Sequence, residues 1–401
     1  MNPDLQRLQP YPFQKLAALF RDITANPDYS AISLSIGEPK HATPVFITEA
    51  IKDNLEGLSN YPTTAGTDAL RITLSDWLSL RYAIPTLDYK TQVLPVNGSR
   101  EALFAFAQTV IDPTRNNPVV VCPNPFYQIY EGAAYLAGAT PYFLNTQDSD
   151  NFALNFSQLN EDIWQRTQLV YVCSPGNPTG RVMPLHEWKT LFEMSDRYGF
   201  VIASDECYSE IYADTPPLGA LQAAQKLNRP DYRNLVVFSS LSKRSNVPGM
   251  RSGFVAGDAR VIEKFTLYRT YHGSAMNPVI QSASIAAWRD ENHVAENRRL
   301  YTDKFAQVVK ILEPVLPVSL PDAAFYLWIR TPISDTDFAQ NLYRDYNVTV
   351  LPGSFLARTA QGINPGENFV RLALVATTDE TIEAAKRIAE FTRKLSVVNN
   401  K

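Results

Sequence analysis

Lys243 stands in the run Ser239-Ser-Leu-Ser-Lys-Arg-Ser-Asn-Val-Pro-Gly-Met-Arg251, directly after the apolar stretch Leu235 to Phe238. A lysine amine at the rim of a core is costly unless it is neutralised or paired. A Schiff base with an aldehyde would neutralise it. Arg251, which follows a Pro-Gly turn and opens the apolar run Gly253 to Ala256, could hold an anionic group on the same molecule. Taken alone, a strand-end lysine reaching for water explains the same pattern.

Four other segments carry chemistry of a matching kind. Asn97-Gly-Ser-Arg-Glu101 sits between an apolar run and a helical stretch, where backbone N–H groups and the Ser99 hydroxyl could receive a phosphate. Ser99 is equally a good N-cap. Ser204-Asp-Glu-Cys-Tyr208 ends another apolar run, and Asp205 there could pair with a buried cation or cap the helix that follows. Ser174-Pro-Gly-Asn-Pro-Thr-Gly180 flanks Asn177 with prolines and glycines, a stiff loop suited to aiming an amide. Pro123-Asn-Pro-Phe-Tyr-Gln-Ile-Tyr130 offers Tyr127 as a ring that could lie on a heterocycle.

The elements that must position these residues are legible between residues 90 and 260. Short runs at Gln92–Val96, Val119–Cys122, Gln168–Cys173, Phe200–Ala203, Leu235–Phe238 and Gly253–Ala256 read as strands buried on both faces. Helical stretches separate them, such as Ala102–Ile111, and one holding Leu185, Trp188, Leu191 and Phe192 with Gly199 as its stop. The alternation predicts an α/β fold, a mostly parallel sheet covered by helices. Ligands on such sheets bind beyond the carboxyl ends of the strands, where every motif above falls. From about residue 286 the pattern changes to long charged helices, such as Glu296–Leu312, around strand-like runs at Ala324–Ile329 and Phe369–Val375. A capping box from Thr377 to Glu380 opens the last helix. The expectation is a large domain over residues 45–285 and a smaller α+β domain from residues 1–44 and 286–401.

Composition narrows the function classes. Lys and Arg total 37 against 41 Asp and Glu, a formal charge of −4, and no basic stripe invites nucleic acid. No apolar run is long enough for a membrane span, and no signal peptide is evident at the N-terminus. Cys122, Cys173 and Cys207 lack paired spacing, which points to reduced thiols and a cytoplasmic setting. The four histidines show no ligand spacing, so no metal site is expected.

In the order Ser99, Tyr127, Asn177, Asp205, Lys243 and Arg251, these residues resemble the class I/II, or fold-type I, pyridoxal-phosphate aminotransferase family. The likeness runs from Ser33-Leu-Ser-Ile-Gly-Glu-Pro39 to Phe369-Val-Arg-Leu372. Ser252 departs from it, where the family usually has an aliphatic residue. The resemblance implies pyridoxal 5'-phosphate as cofactor. Lys243 would form the Schiff base and then shuttle the substrate Cα proton. Asp205 would hold the pyridinium proton, Asn177 and Tyr208 would bond the ring oxygen, and Tyr127 would stack on the ring. Ser99, the Arg100 backbone N–H, Ser240 and Arg251 would hold the phosphate. Arg371 would grip the substrate α-carboxylate in a bidentate fork, and Gly37 would let it approach the backbone. Tyr61 would reach the phosphate of a neighbouring subunit, which implies a homodimer with shared active sites. Amino-acid and keto-acid substrates follow.

The phrasing of Ile36-Gly-Glu-Pro-Lys-His41, Gly98-Ser-Arg-Glu-Ala102 and Cys122-Pro-Asn-Pro-Phe-Tyr-Gln-Ile-Tyr130 looks most like the bacterial succinyldiaminopimelate aminotransferases. That implies exchange of an amino group between glutamate and N-succinyl-2-amino-6-oxopimelate in lysine biosynthesis. Lys40 and the Arg100 side chain are then candidates for the succinyl carboxylate. Aspartate, aromatic and kynurenine-type aminotransferases, and lyases on the same fold, need the same central residues.

Overall fold

The computed structural model describes residues 1–399. Its strands, in chain order, are β1 (Ile32–Ser33), β2 (Val93–Val96), β3 (Val119–Asn124), β4 (Thr140–Asn145), β5 (Thr167–Cys173), β6 (Val201–Asp205), β7 (Leu235–Ser240), β8 (Gly253–Gly257), β9 (Tyr326–Arg330), β10 (Val348–Thr349), β11 (Leu351–Pro352) and β12 (Phe369–Ala373). Seven of them form one sheet in the order β2-β8-β7-β6-β5-β3-β4. The runs of Val, Ile and Leu form strands because both faces are covered. In β5, Val170 and Val172 face one core with Trp188 and Leu191, while Leu169 and Tyr171 face the other with Leu103 and Phe106.

Strand polarity gathers the chemistry on one edge. β3, β4, β5, β6 and β7 run parallel, so their C-terminal ends lie together. β8 is antiparallel to both β7 and β2. It therefore starts at that edge, directly after Arg251, while β2 ends there just before Gly98. The helix Ser99–Val110 departs from the same rim, as does the short helix Leu241–Arg244 that carries Lys243.

Sequence reasoning passed over β4. It is an edge strand with Tyr142 and Phe143 only half-buried, and Pro141 lies inside it. An edge position tolerates a proline whose missing N–H would break a central ladder. The helix Leu185–Tyr198 ends at Gly199 in the left-handed region, φ 80°, as its pattern predicted. The helix expected at Ala102–Ile111 begins a few residues earlier, with Gly98 rather than Ser99 at its N-cap.

The remaining strands build a smaller unit. β9, β11 and β12 form an antiparallel sheet in the order β11-β12-β9. The helices Asn292–Leu312, Asp335–Tyr346 and Thr378–Asn399 flank it, with Ile329, Phe338, Leu342, Val370 and Ile388 in one core. Thr377 and Glu380 form the anticipated capping box, the Glu380 N–H donating to Thr377 Oγ1 at 3.3 Å and the Thr377 N–H to Glu380 Oε2 at 3.1 Å. β1 pairs in parallel with β10, which ties the opening segment to this unit. The position 285/286 lies inside the helix Pro278–Arg289, whose Ala287 and Trp288 pack in a core of the large sheet.

Candidate active site

Beyond the strand ends lies a cavity of about 570 Å³. Gly37, Ser99, Arg100, Tyr127, Asn177, Asp205, Tyr208, Ser240, Lys243, Arg251 and Arg371 all line it. Of the expected residues, Lys40 and Tyr61 do not. Lys40 is exposed and faces Glu38 at 3.5 Å. Tyr61 is fully exposed on the loop after the 3₁₀ turn Leu55–Ser59.

One end of the cavity is a cup of donors. Arg251 reaches across Gly98 and grips Glu101 in a two-point pair at 3.2 and 2.6 Å, and it also donates to the Pro248 carbonyl at 2.7 Å. A Cβ on Gly98 would lie 2.1 Å from Arg251 Nη2, and Gly98 has φ +90°, so only glycine fits under the arginine. Ser99 Oγ accepts from Cys207 Sγ–H at 3.0 Å, and Ser240 Oγ accepts from the Ser242 N–H at 3.2 Å. Ser252 directs its buried hydroxyl to Ser284 at 2.7 Å, which explains how a polar residue is tolerated beside Arg251.

At the centre stand a carboxylate and an amine. Asp205 is buried and accepts from Tyr130 Oη at 2.8 Å and from the Cys207 N–H at 3.3 Å. Burial raises its pKa, and neither hydrogen-bond partner is a cation. A buried carboxylate held by neutral donors fits a ligand that brings positive charge of its own. Lys243 Nζ donates to the Gly37 carbonyl at 2.5 Å. Burial is the main reason its pKa is pushed down to about 8, with Arg371 and Arg251 adding to the effect. The rings of Tyr127 and Tyr130 stand nearly perpendicular, their centroids 5.8 Å apart.

The far wall comes from the smaller unit. Arg371 in β12 donates to Asn177 Oδ1 at 2.8 Å and to the Ser35 carbonyl at 2.7 Å. Its guanidinium lies 4.4 Å from the Tyr326 ring centroid, and its buried Nε has no partner among the described residues. Tyr326 and Tyr208 share a hydroxyl contact of 2.9 Å. A Cβ on Gly37 would meet the Tyr326 hydroxyl at 2.2 Å, so this glycine is fixed by a tyrosine that sequence reasoning did not single out. Tyr130, Tyr326, Cys207 and Glu101 were likewise not assigned. Tyr130 and Cys207 sat inside quoted motifs, but only the fold shows that their polar atoms meet Asp205 and Ser99. Among the described residues no group of His, Cys, Asp and Glu is arranged to hold a metal ion.

A sheet edge that delivers a lysine, a buried carboxylate and a donor cup to one cavity defines a fold-type I, pyridoxal-phosphate-dependent enzyme, and the donor set fits that cofactor. The chain belongs to the class I and II aminotransferase family, whose model matches residues 29–388. It is 31% identical over 397 residues to the LL-diaminopimelate aminotransferase of Nitratidesulfovibrio vulgaris (Hildenborough), spanning 96% of this chain and 98% of that one. Among solved structures, an aminotransferase from Neisseria meningitidis Z2491 shares 52% identity and a TM-score of 0.96 over 98% of this chain and 100% of that one. An aminotransferase from Helicobacter pylori 26695 shares 35% identity and a TM-score of 0.89, covering 96% and 99%.

Proposed function

We propose that this aminotransferase transfers the amino group of glutamate to N-succinyl-2-amino-6-oxopimelate, a step toward lysine. The observation that carries the central chemistry is the half-buried Lys243, its pKa pushed down to about 8 by burial, within one cavity with Asp205 and Arg371. At pH 7 roughly one such lysine in ten is neutral, against about one in 2,500 for an unperturbed amine. Pyridoxal phosphate, when bound, supplies the aldehyde for this amine and a sink for the electrons left when a proton departs from the substrate Cα. Lys243 is the residue that takes and returns that proton. Asp205, hydrogen-bonded only by neutral donors, would hold the proton on the ring nitrogen. Asn177 and Tyr208 would bond the ring oxygen, and Tyr127 would stack on the ring. Ser99, the Arg100 N–H, Ser240 and Arg251 would hold the phosphate. Arg371 and the open backbone at Gly37 receive the substrate α-carboxylate.

A second substrate reading has one specific support: the curated relative cited above is named an LL-diaminopimelate aminotransferase, which would act on the amine without a succinyl arm. A lyase outcome has no observation of its own in its favour. We also read the protein as a cytoplasmic homodimer. Its three thiols are free, as in a reducing compartment, and no helix among the described residues is long and apolar enough to cross a membrane.

The test is a pair of half-reactions followed by cofactor absorbance on the holoenzyme. Glutamate is expected to convert the cofactor to its amine form, and the succinylated keto acid to restore it. Restoration by LL-diaminopimelate's own keto acid alone overturns the succinyl reading and leaves the aminotransferase intact. Lys243→Ala is expected to lose transamination by several orders of magnitude. Full turnover in that variant removes the lysine from its role.

A further inference from the structure

Lys304, on the helix Asn292–Leu312, is wholly buried and forms no ion pair among the described residues. A buried amine is tolerated only where each of its N–H groups finds an acceptor. Lys304 has three: the carbonyl of Leu374 at 3.3 Å, the carbonyl of Ala376, and His41 Nε2 at 2.7 Å. Because Nε2 accepts, the imidazole proton stands on Nδ1 and is donated to Asn297 Oδ1 at 2.7 Å. Asn297 Oδ1 also accepts from Asn246 at 3.1 Å, and Asn297 Nδ2 donates to the main-chain carbonyl of Lys243 at 3.4 Å. Donation thus runs one way, from the buried amine to the backbone of the lysine in the cavity.

His41 closes one end of a strap across the cavity. At the other end Leu34 and Ser35 are held to β12, the Ala373 N–H donating to the Leu34 carbonyl at 2.7 Å and Arg371 to the Ser35 carbonyl. Ile36, Gly37 and Glu38 lie between and line the cavity, and the Gly37 carbonyl receives Lys243 Nζ. Lys304 therefore ties the strap to carbonyls just downstream of Arg371, while Asn297 ties it to Lys243. We propose that His41 is a positioning residue, which through Lys304 and Asn297 holds the Gly37 strap, and with it the substrate carboxylate, in register with Lys243. The inference rests on the reading of this cavity as an aminotransferase site. The junction needs a neutral imidazole. A proton on Nε2 would replace its lone pair by a donor facing Lys304, whose own pKa, pushed down to about 8 by burial, leaves it mostly charged at pH 7. Burial lowers the pKa of His41, and Lys304 lowers it further, against the Asn297 hydrogen bond and the charge of Glu296. The Tyr301 ring also faces His41, its centroid 4.6 Å away, and Glu380 on the helix Thr378–Asn399 acts on Lys304. Glu38 and Lys40, on the strap itself, face one another. The strap is accordingly seated at neutral pH and released in acid, below the 6.5 of a free imidazole.

An NMR titration of the full chain, its histidines labelled with an NMR-active nitrogen, reads tautomer and charge directly. His41→Gln identifies one signal among the four histidines. His41 is expected in the Nδ1–H form, charging only below pH 6.5. An Nε2–H form, or a titration at or above that pH, overturns the junction. On the holoenzyme, the glutamate half-reaction separates the apparent dissociation constant from the limiting rate. As pH falls through the His41 titration, the wild-type constant is expected to rise roughly tenfold, and by a larger factor than the rate falls. Lys304→Met is expected to show the raised constant already at neutral pH. His41→Gln keeps an amide oxygen that can accept from Lys304 and takes up no proton. Its constant is expected to stay within about threefold of the wild type at neutral pH and to be flat across the acid range. A purely structural role would leave the acid rise in place in His41→Gln, and that result overturns the positioning role. An unchanged constant in Lys304→Met does the same; should that variant fail to fold, the His41→Gln profile decides alone. A wild type with no glutamate half-reaction at any pH, its His41 titrating as expected, fails the aminotransferase reading and not the junction.

Discussion

Glu206 is the neighbour of Asp205 in the chain and shares its burial, yet the strand sends it to the opposite side. It accepts from Tyr82 Oη at 3.0 Å, Ser204 Oγ at 3.0 Å and the Ala220 N–H at 2.7 Å, away from the cavity. Burial pushes its pKa up to about 7 from 4.5. A carboxyl whose folded pKa is raised binds more protons in the native state than in the unfolded one. Stability from this group is therefore full below pH 4.5 and declines as pH rises toward 7. The expected slope amounts to roughly 2–3 kcal/mol across that window, read by denaturant melts at closely spaced pH values. Glu206→Gln is expected to flatten it, and an unchanged slope removes Glu206 as the cause. The pair also shows what a sequence can and cannot disclose about single residues. Asp205 was legible because it stands at the carboxyl end of a buried apolar run, a position that local pattern discloses. Tyr130, Tyr326 and Glu101 escaped because each reaches its partner across a long chain separation, and no local pattern encodes such a meeting.

Elements were legible wherever both faces of a strand were buried. The runs that became β2, β3, β5, β6, β7 and β8 stood out as apolar stretches, while β4, an edge strand with half-buried Tyr142 and Phe143, did not. Turn geometry was less visible. Gly98 was seen as part of a phosphate-ready junction, but its φ of +90° and its place beneath Arg251 come only from the fold. Gly98→Ala must either strain that backbone or push the arginine aside, at a cost of about 1–3 kcal/mol. If the strain falls on the cofactor site, titration of apoprotein with pyridoxal phosphate is expected to show a dissociation constant raised roughly tenfold or more. An unchanged constant would mean that the junction shifts freely and that Arg251 does not depend on it.

At the scale of the molecule, several of the large exposed apolar residues fall on two adjoining segments. Leu55 and Leu58 are 51% and 63% exposed, Tyr61 is fully so, and Leu267 and Tyr271 are 56% and 88% exposed. A Thr270 to Thr64 hydrogen bond of 3.2 Å holds the two segments side by side. Such a patch suits burial against a second copy. Light scattering is expected to give twice the chain mass, and Leu58→Glu to shift it toward the single mass. Tyr61→Phe is expected to weaken pyridoxal phosphate retention up to about tenfold if the hydroxyl serves the other subunit's site. A protein at the single mass ends the shared-site reading. The parallel pairing of β1 with β10 has a consequence for synthesis. The groups of this chain assigned to the cofactor are all encoded by residue 251, and the core of the large sheet is complete by Trp288, whereas Arg371 lies far downstream and the smaller unit needs both early and late segments. On the ribosome the large sheet can close while β1 still waits for its partner, since domains fold as units when their last strand emerges. A nascent chain of this protein would thus be able to acquire its cofactor before it can hold a substrate.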